Sequence, residues 1–331
     1  KINSISKFSC LLSISKSSAN EASKFLNIDK KSIFNISSAI DKNIFNTTES
    51  FYYKSKFGEF ILYTGAGDPR KNLKNLLESY SRLDQNLKMR HNLVLVGKLL
   101  ANEKNMINIW IEDLQIPKKN ITILGYVSDS ELAHLYRSCY LFVFPSFHEG
   151  FGLPVLEAMS CGAAVIASNS TSIPEIIKNN SYMFDPFDVN DMTRLLKLSL
   201  NNKQFYNNLK ENAKIQSSCF SWDLCANHVI DAINNIFQDN INPLKITEKD
   251  SYQKKNYQIL VLQIINILST FDNKKLLDNF INIFSACIQK IIYETCFFNI
   301  NKGSEFPFLH WRIKGPYDST YSLAILNREL A

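Results

Sequence analysis

The stretch PSFHEGFGLPVLEAMSCGAAVIAS, residues 145–168, concentrates the residue types best suited to chemistry. Glu149 and Glu157 enclose Gly150, Phe151, Gly152, Leu153 and Pro154. The apolar run YLFVFP (140–145) reads as a central strand, and Pro154 suits the first turn of a helix, where its missing N–H costs nothing. The turn between them would then lie at a strand's carboxyl end, with its backbone N–H groups beside a helix N-terminus. Unsatisfied donors and the helix dipole together attract anions such as phosphate. Gly150 and Gly152 are expected to permit positive φ and close approach of a ligand. The dipole alone favours Glu157, by about 0.3 to 1 kcal/mol in a first turn, but it leaves Glu149 unexplained. Both are explained if one carboxylate accepts from a ribose diol, as acidic residues do in dinucleotide folds, and the other reaches a second polyhydroxylated group. The amides between them would hold a diphosphate. Nucleoside, diphosphate and sugar in a row describe an activated sugar donor. A tight connection without ligand is the plainer alternative, and it accounts for fewer of these residues.

Such a turn needs a rigid frame. Between residue 59 and about 185, short apolar runs alternate with amphipathic stretches, the pattern of repeated β-α units and a parallel sheet. Strands are expected at 60–65, 92–97, 121–125, 140–145, 163–168 and 181–184, with helices at 72–83, 103–115, 129–138, 154–161 and 173–178. Several strands end in Gly or Pro, which keeps the loops at their carboxyl ends tight. Helices over 188–237 would close the domain, where FSWDLCANHVIDAINNIF carries apolar residues at helical spacing. Upstream, CLLSIS (10–15), a helix near 17–27 and KSIFNIS (31–37) form a strand, helix, strand unit too small for a domain and read as the tail of one.

The remainder is divided by composition. Residues 239–256 are polar and read as a linker. Amphipathic helices are expected near 257–270 and 274–297, their apolar faces packed on protein and not lying in a membrane interface, because basic residues are few. The end, LHWRIKGPYDSTYSLAILNREL, reads as a strand, a Gly-Pro turn and a helix start. The domain boundaries are therefore placed at 1–50, 56–238, 239–305 and 306–331.

Bulk properties exclude several classes. A 331-residue chain with 45% hydrophobic and 21% charged residues has ordinary globular composition. A net charge of +6, evenly spread, is not the clustered basic footprint of a nucleic-acid binder. The seven cysteines form no C-x-x-C pair, which suggests reduced thiols in a cytosolic protein. The most apolar run, YQILVLQIINIL (257–268), is too short and too polar to span a bilayer. No D-x-D occurs, which agrees with charge neutralisation by basic side chains in place of a metal ion.

Glu149 and Glu157 then resemble the E-x7-E signature of the retaining glycosyltransferases of family four, which adopt the two-domain GT-B fold. Further segments match in the expected order: YTGAGDPRKNLKNLLESY (63–80), LVLVGK (93–98), ITILGYVSDSELAHLYRSCYLFVFPS (121–146), SIPEII (172–177) and FSW (220–222). The resemblance covers roughly residues 5–238. It implies an α/β fold, a Rossmann-like parallel sheet flanked by helices, forming the C-terminal, donor-binding half of a GT-B enzyme. It implies that Glu157 binds the ribose hydroxyls, that Glu149 contacts the transferred sugar, and that the backbone of Gly150, Phe151, Gly152 and Leu153 meets sugar and diphosphate. Lys71, with Arg70, matches the basic RKN corner that neutralises the diphosphate as charge develops on the leaving group. Val127 falls where the family touches the nucleotide base, although a simple loop apolar would look the same. The donor would be a GDP- or UDP-sugar, the transferred group a hexose such as mannose, and the acceptor a glycan or lipid-linked glycan.

Some positions depart from the family. Residues 65–68 read GAGD where many relatives carry an arginine, and 162–168 read GAAVIAS where a Thr-Pro or Cys-Pro pair is usual. Family members also place an acceptor pocket, a glycine loop and a catalytic histidine on an N-terminal domain, of which residues 13–45 resemble only the last part. Residues 311–330 resemble the opening of another such domain, with Gly315 as its loop glycine. The chain thus reads as one donor domain and a junction within a longer, multi-module polysaccharide or lipopolysaccharide enzyme, inactive in transfer by itself. Its expected location is the cytoplasm, with peripheral association at the inner face of the membrane an option for the parent protein. His134 lies in a helical pattern and reads as structural, and His148 is assigned no role. Other classes stay open: a non-catalytic nucleotide-sugar-binding module, or a glycosidase with Glu149 and Glu157 as acid and nucleophile, which would leave the amides without a task. A dehydrogenase is disfavoured because no G-x-G-x-x-G follows the first strand of the main domain.

Overall fold

The computed structural model describes residues 11–48 and 56–239. Lys1–Gln238 fall within one compact unit. The expected linker, amphipathic helices and second-domain start beyond residue 239 lie outside the described residues, as do 1–10 and 49–55.

Residues 11–48 begin with β1 (Leu11–Ser13), α1 (Lys16–Leu26) and β2 (Ile33–Asn35), the two strands pairing in parallel with Leu12 opposite Phe34. This is the expected strand, helix, strand unit. The main sheet consists of β3 (Phe60–Thr64), β4 (Asn92–Val96), β5 (Ile121–Gly125), β6 (Leu141–Phe144), β7 (Ala164–Ser168) and β8 (Met183–Phe184). All five of its pairings are parallel, in the order β5-β4-β3-β6-β7-β8. Each strand falls within two residues of the position expected from the apolar runs. Strands β3 and β6 are buried along their whole length, which is why they read as continuous apolar runs and not as alternating ones.

The helices are α2 (Leu73–Ser81), α3 (Gln85–Arg90), α4 (Ala101–Asp113), α5 (Asp129–Ser138), α6 (Leu153–Ser160), α7 (Ile173–Ile177), α8 (Val189–Asn201), α9 (Lys203–Ser218) and α10 (Trp222–Asp239). Successive side chains of a strand point to opposite faces. Ile61, Tyr63, Leu93, Leu95 and Val143 accordingly join one core with Leu76 and Leu77 of α2, Ile107 and Ile111 of α4 and Leu195 of α8. Phe142, one position out of phase, meets Tyr136 of α5 edge-on with ring centroids 5.1 Å apart. The six-residue α3 has no counterpart among the expected elements. It carries a single buried residue, Leu87, too little to show as a periodic pattern.

The strand order reverses between β3 and β6, so the chain leaves these two neighbours in opposite directions. In open parallel sheets the crevice outside the carboxyl ends of such a pair is where ligands bind. The loops that meet there are 65–72 and 145–152, the two segments singled out for their chemistry.

Candidate functional site

The loop after β3 turns tightly. Gly65 has φ +99°, and a Cβ there would come within 2.7 Å of Lys71 Cγ, so the glycine is what lets the Lys71 side chain cross the turn. Pro69–Lys71 form one turn of 3-10 helix capped by Asp68, whose carboxylate accepts from the Arg70 N–H at 3.0 Å. Arg70 and Lys71 therefore lie in a 3-10 turn ahead of α2 and not in its first turn, as the expected helix start at 72 left room for. Asn72 follows in the left-handed region at φ 57°. Its side-chain amide donates to the carbonyls of Pro145, at 3.0 Å, and Pro186, at 2.8 Å. That buried residue fastens the loops after β3, β6 and β8 to one another. The Phe147 N–H and the Ser146 hydroxyl both donate to the Arg70 carbonyl.

These fastenings bring Lys71 to Glu149. The Lys71 ammonium donates to Glu149 Oε1 at 2.5 Å, with both side chains largely withdrawn from water, and it lies 5.0 Å from the Phe144 ring centroid. Arg70 points its charge elsewhere: its guanidinium pairs with Asp68 at 3.0 Å and is half exposed. Glu157, on α6, is buried and accepts from the Tyr136 hydroxyl at 3.2 Å. Burial raises its pKa to about 7, the Tyr136 hydrogen bond and the positive charge of Lys71 working against the rise. One cation thus acts on both carboxylates. No acidic residue occupies the first turn of α6, so the helix dipole does not by itself account for Glu157.

The backbone between the carboxylates shows a one-sided pattern of hydrogen bonding. The Ser172 hydroxyl lies 2.9 Å from the Glu149 carbonyl and 2.7 Å from that of Phe151. The Gly150 carbonyl accepts from Ser15 at 2.7 Å and Ser18 at 2.9 Å. The Glu149 N–H donates to the Thr171 hydroxyl at 2.9 Å. The N–H groups of Gly150, Phe151, Gly152 and Leu153, in contrast, meet no acceptor among the described residues. Pro154, at the second helical position and not the first, has no N–H to offer. The carbonyls are turned inward to serine hydroxyls, and the donors remain available to an anion at the N-terminus of α6.

The two glycines differ. Gly152 has φ 109°, and a Cβ there would come within 2.5 Å of Ile173 Cδ1, so both backbone and packing require glycine. Gly150 does not have positive φ, and its Cβ would meet nothing closer than 3.7 Å. The expectation of positive φ at Gly150 is thereby corrected; its carbonyl is held by the two serines from the upstream segment. Val127, half-buried, precedes Ser128, the N-cap of α5, and makes none of the contacts that join Lys71 to the two carboxylates. His134 lies 3.1 Å from Arg137 on α5, and His148 lies 2.7 Å from Glu21 on α1.

Reasoning from the sequence missed Ser15, Ser18, Thr171, Ser172, Tyr136 and Asn72. The contacts from Ser15 and Ser18 span more than 130 residues, and hydroxyls near a helix start look like ordinary caps. The available signal was that Asn72, Tyr136 and Ser172 fall inside the quoted segments 63–80, 121–146 and 172–177.

Residues 49–216 match the model of the family described as Glycosyl transferases group 1. The serotype-specific mannosyltransferase WbdA of Escherichia coli is 34% identical over 282 residues, covering 82% of this chain and 34% of WbdA. The O-antigen chain mannosyltransferase B of Escherichia coli is 36% identical over 187 residues, covering 54% of this chain and 47% of that protein. Among solved structures, Anabaena Alr3699/HepE in complex with UDP and glucose has a TM-score of 0.62 at 19% identity, over 71% of this chain and 65% of that one. The chain spans about a third of the length of WbdA. Its parallel sheet flanked by helices is the architecture of GT-B glycosyltransferases, and the chain belongs to the glycosyl transferases group 1 family.

Proposed function

We propose that this chain is the donor-binding part of a retaining glycosyltransferase of the family-four type, with Glu149 and Glu157 as its E-x7-E pair. The observation that carries the reading is the one-sided loop: the carbonyls of residues 149, 150 and 151 accept from serine hydroxyls, while the N–H groups of residues 150–153 have no acceptor among the described residues. A diphosphate supplies the missing acceptors. Glu157 takes the ribose hydroxyls, and Lys71 faces the diphosphate with the N–H bonds it does not give to Glu149. Glu149 orients the sugar and sets the position of Lys71. Arg70 adds positive charge at the rim, and Val127 borders the base. When the bond between the anomeric carbon and the diphosphate oxygen breaks, negative charge grows on the leaving group, where the amides and Lys71 already point. The acceptor hydroxyl attacks from the same face, and its proton leaves with the departing diphosphate side.

The names of the relatives favour a mannosyl group as the hexose and an O-antigen glycan or lipid-linked glycan as acceptor. The donor is a GDP- or UDP-sugar. The WbdA match covers more of the chain than residues 1–238 make up, so the likeness runs on into 239–331. We divide the chain into a tail of an acceptor-side domain (1–50), a donor domain (56–238), a connecting region (239–305) and the start of a second transferase unit (306–331). In this reading the parent protein works at the cytoplasmic face of a membrane, and this chain alone binds donor without transferring it. Calorimetric titration with GDP, UDP and their hexose conjugates is the test. One base should bind, and E157A should weaken it by about 1 to 3 kcal/mol, the scale of a charge-assisted hydrogen bond. Unchanged affinity in E157A, or no binding of either nucleotide, contradicts the assignment.

A further inference from the structure

We infer that Ser15 and Ser18 are positioning residues of the amide turn, so that docking of α1 and binding of a diphosphate are linked. The inference rests on the donor-site reading above. Both hydroxyls lie within hydrogen-bond distance of the Gly150 carbonyl, at 2.7 and 2.9 Å. Each can donate its single proton there; Ser15 Oγ lies 3.0 Å from Ser18 Oγ and accepts from the Ser18 N–H at 2.9 Å, closing the N-cap of α1. The next two donors of the same helix end, the N–H groups of Lys16 and Ser17, go to the two carboxylate oxygens of Glu175 at 2.9 and 2.8 Å. The N–H groups of the first turn of α1 are therefore satisfied by Ser15 and by Glu175 of α7, while the hydroxyls of Ser15 and Ser18 reach the loop after β6.

The reverse dependence matters more. The peptide plane joining Gly150 to Phe151 carries the Gly150 carbonyl on one edge and the Phe151 N–H on the other, and the two are antiparallel because the plane is rigid. Fixing the carbonyl against α1 fixes where that N–H points. Gly150 has no side chain to hold it, and a Cβ there would meet Ile14 and Ser18 only at ordinary van der Waals distance, so without the two serines this peptide is the least restrained of the turn. Helix α1 has no buried residue, and polar contacts hold its first turn to residues 150 and 175. Contacts of that kind are individually weak, and water replaces them readily. An anion that holds the 150–153 amides in place therefore strengthens the seating of α1, and seated α1 strengthens the anion's site, by the reciprocity that any linkage obeys.

The experiment uses the full 331-residue chain, with inorganic pyrophosphate as the probe and nucleosides without phosphate as the control. S15A/S18A is expected to weaken pyrophosphate about tenfold, the scale of one to two net hydrogen bonds, while leaving nucleoside affinity unchanged. E175Q unseats α1 without touching Gly150 and is expected to act in the same direction, and S15T, which keeps the hydroxyl, to bind as the unaltered protein does. Pyrophosphate should also slow amide exchange over residues 16–26 in the unaltered protein. If the unaltered chain binds pyrophosphate and both S15A/S18A and E175Q bind it equally well, the positioning role is wrong while the donor-site reading survives. If the unaltered chain does not bind pyrophosphate, both fall. Should the double variant fail to fold, E175Q and the exchange measurement carry the decision.

Discussion

Replacing Glu157 by glutamine should change how the protein responds to pH. The Glu157 carboxyl is buried on α6, where it accepts from the Tyr136 hydroxyl, and burial raises its pKa from 4.5 to about 7. In the unfolded chain it ionises near the ordinary value. Between those two pKa values the unfolded state has lost the proton that the folded state keeps, so stability falls as pH rises through this window and levels off above about 7. At roughly 1.4 kcal/mol per unit, the rise corresponds to about 3 kcal/mol. Glutamine keeps an oxygen for Tyr136 to donate to and has nothing to ionise. In urea titrations the stability of E157Q relative to the unaltered protein should therefore grow by about 3 kcal/mol from about pH 4.5 to about pH 8. Ligand binding should show the complementary effect. A ribose diol donates to the carboxylate form, so nucleotide affinity of the unaltered protein should rise through about pH 7 and that of E157Q should not. Parallel stability curves for the two proteins over the whole range would refute the claim that burial raises the pKa of Glu157.

Two other perturbations separate the parts of the site. K71M leaves Glu149 nearly buried without its cation and should cost about 3 kcal/mol, the lower end for breaking such a pair; K71M/E149Q should recover much of that loss in denaturant melts while still failing to bind pyrophosphate, and equal losses for both variants would show that the pair is not coupled. G152A should destabilise by about 1 to 3 kcal/mol, since φ 109° and the Ile173 contact both exclude a side chain, whereas G150A should stay within about 0.5 kcal/mol; thermal melts that ranked the two in the opposite order would overturn the description of the turn.

The frame of the site was legible because buried parallel strands leave a simple mark. LFVF is apolar at every position and FILYT at all but Thr64, and their separation by amphipathic stretches points to a parallel, two-sided sheet. Glu149 and Glu157 could be named because they enclose a glycine-rich turn at a strand end, and Lys71 because it matches the basic RKN corner of the family that these segments resemble. Chain order could not reveal that α1 is fastened to Gly150, since hydrogen bonds between residues 15 and 150 depend on tertiary placement and leave no period. The backbone of Gly150 was misjudged for the same reason: glycine signals permission for positive φ, and only the fold decides whether permission is used. Arg70 looked equivalent to Lys71 in the sequence. Asp68, two residues earlier, engages its guanidinium and caps the turn, a local competition that charge counting overlooks.

The most direct measurement is a crystal structure of this chain grown with GDP or UDP, whichever calorimetry shows to bind. The diphosphate oxygens should lie about 2.7 to 3.2 Å from the N–H groups of Gly152 and Leu153, with the ribose hydroxyls on Glu157 and the Lys71 ammonium turned toward the phosphates. A nucleotide seated elsewhere in the crevice, with the amides of residues 150–153 left to water, would contradict the account.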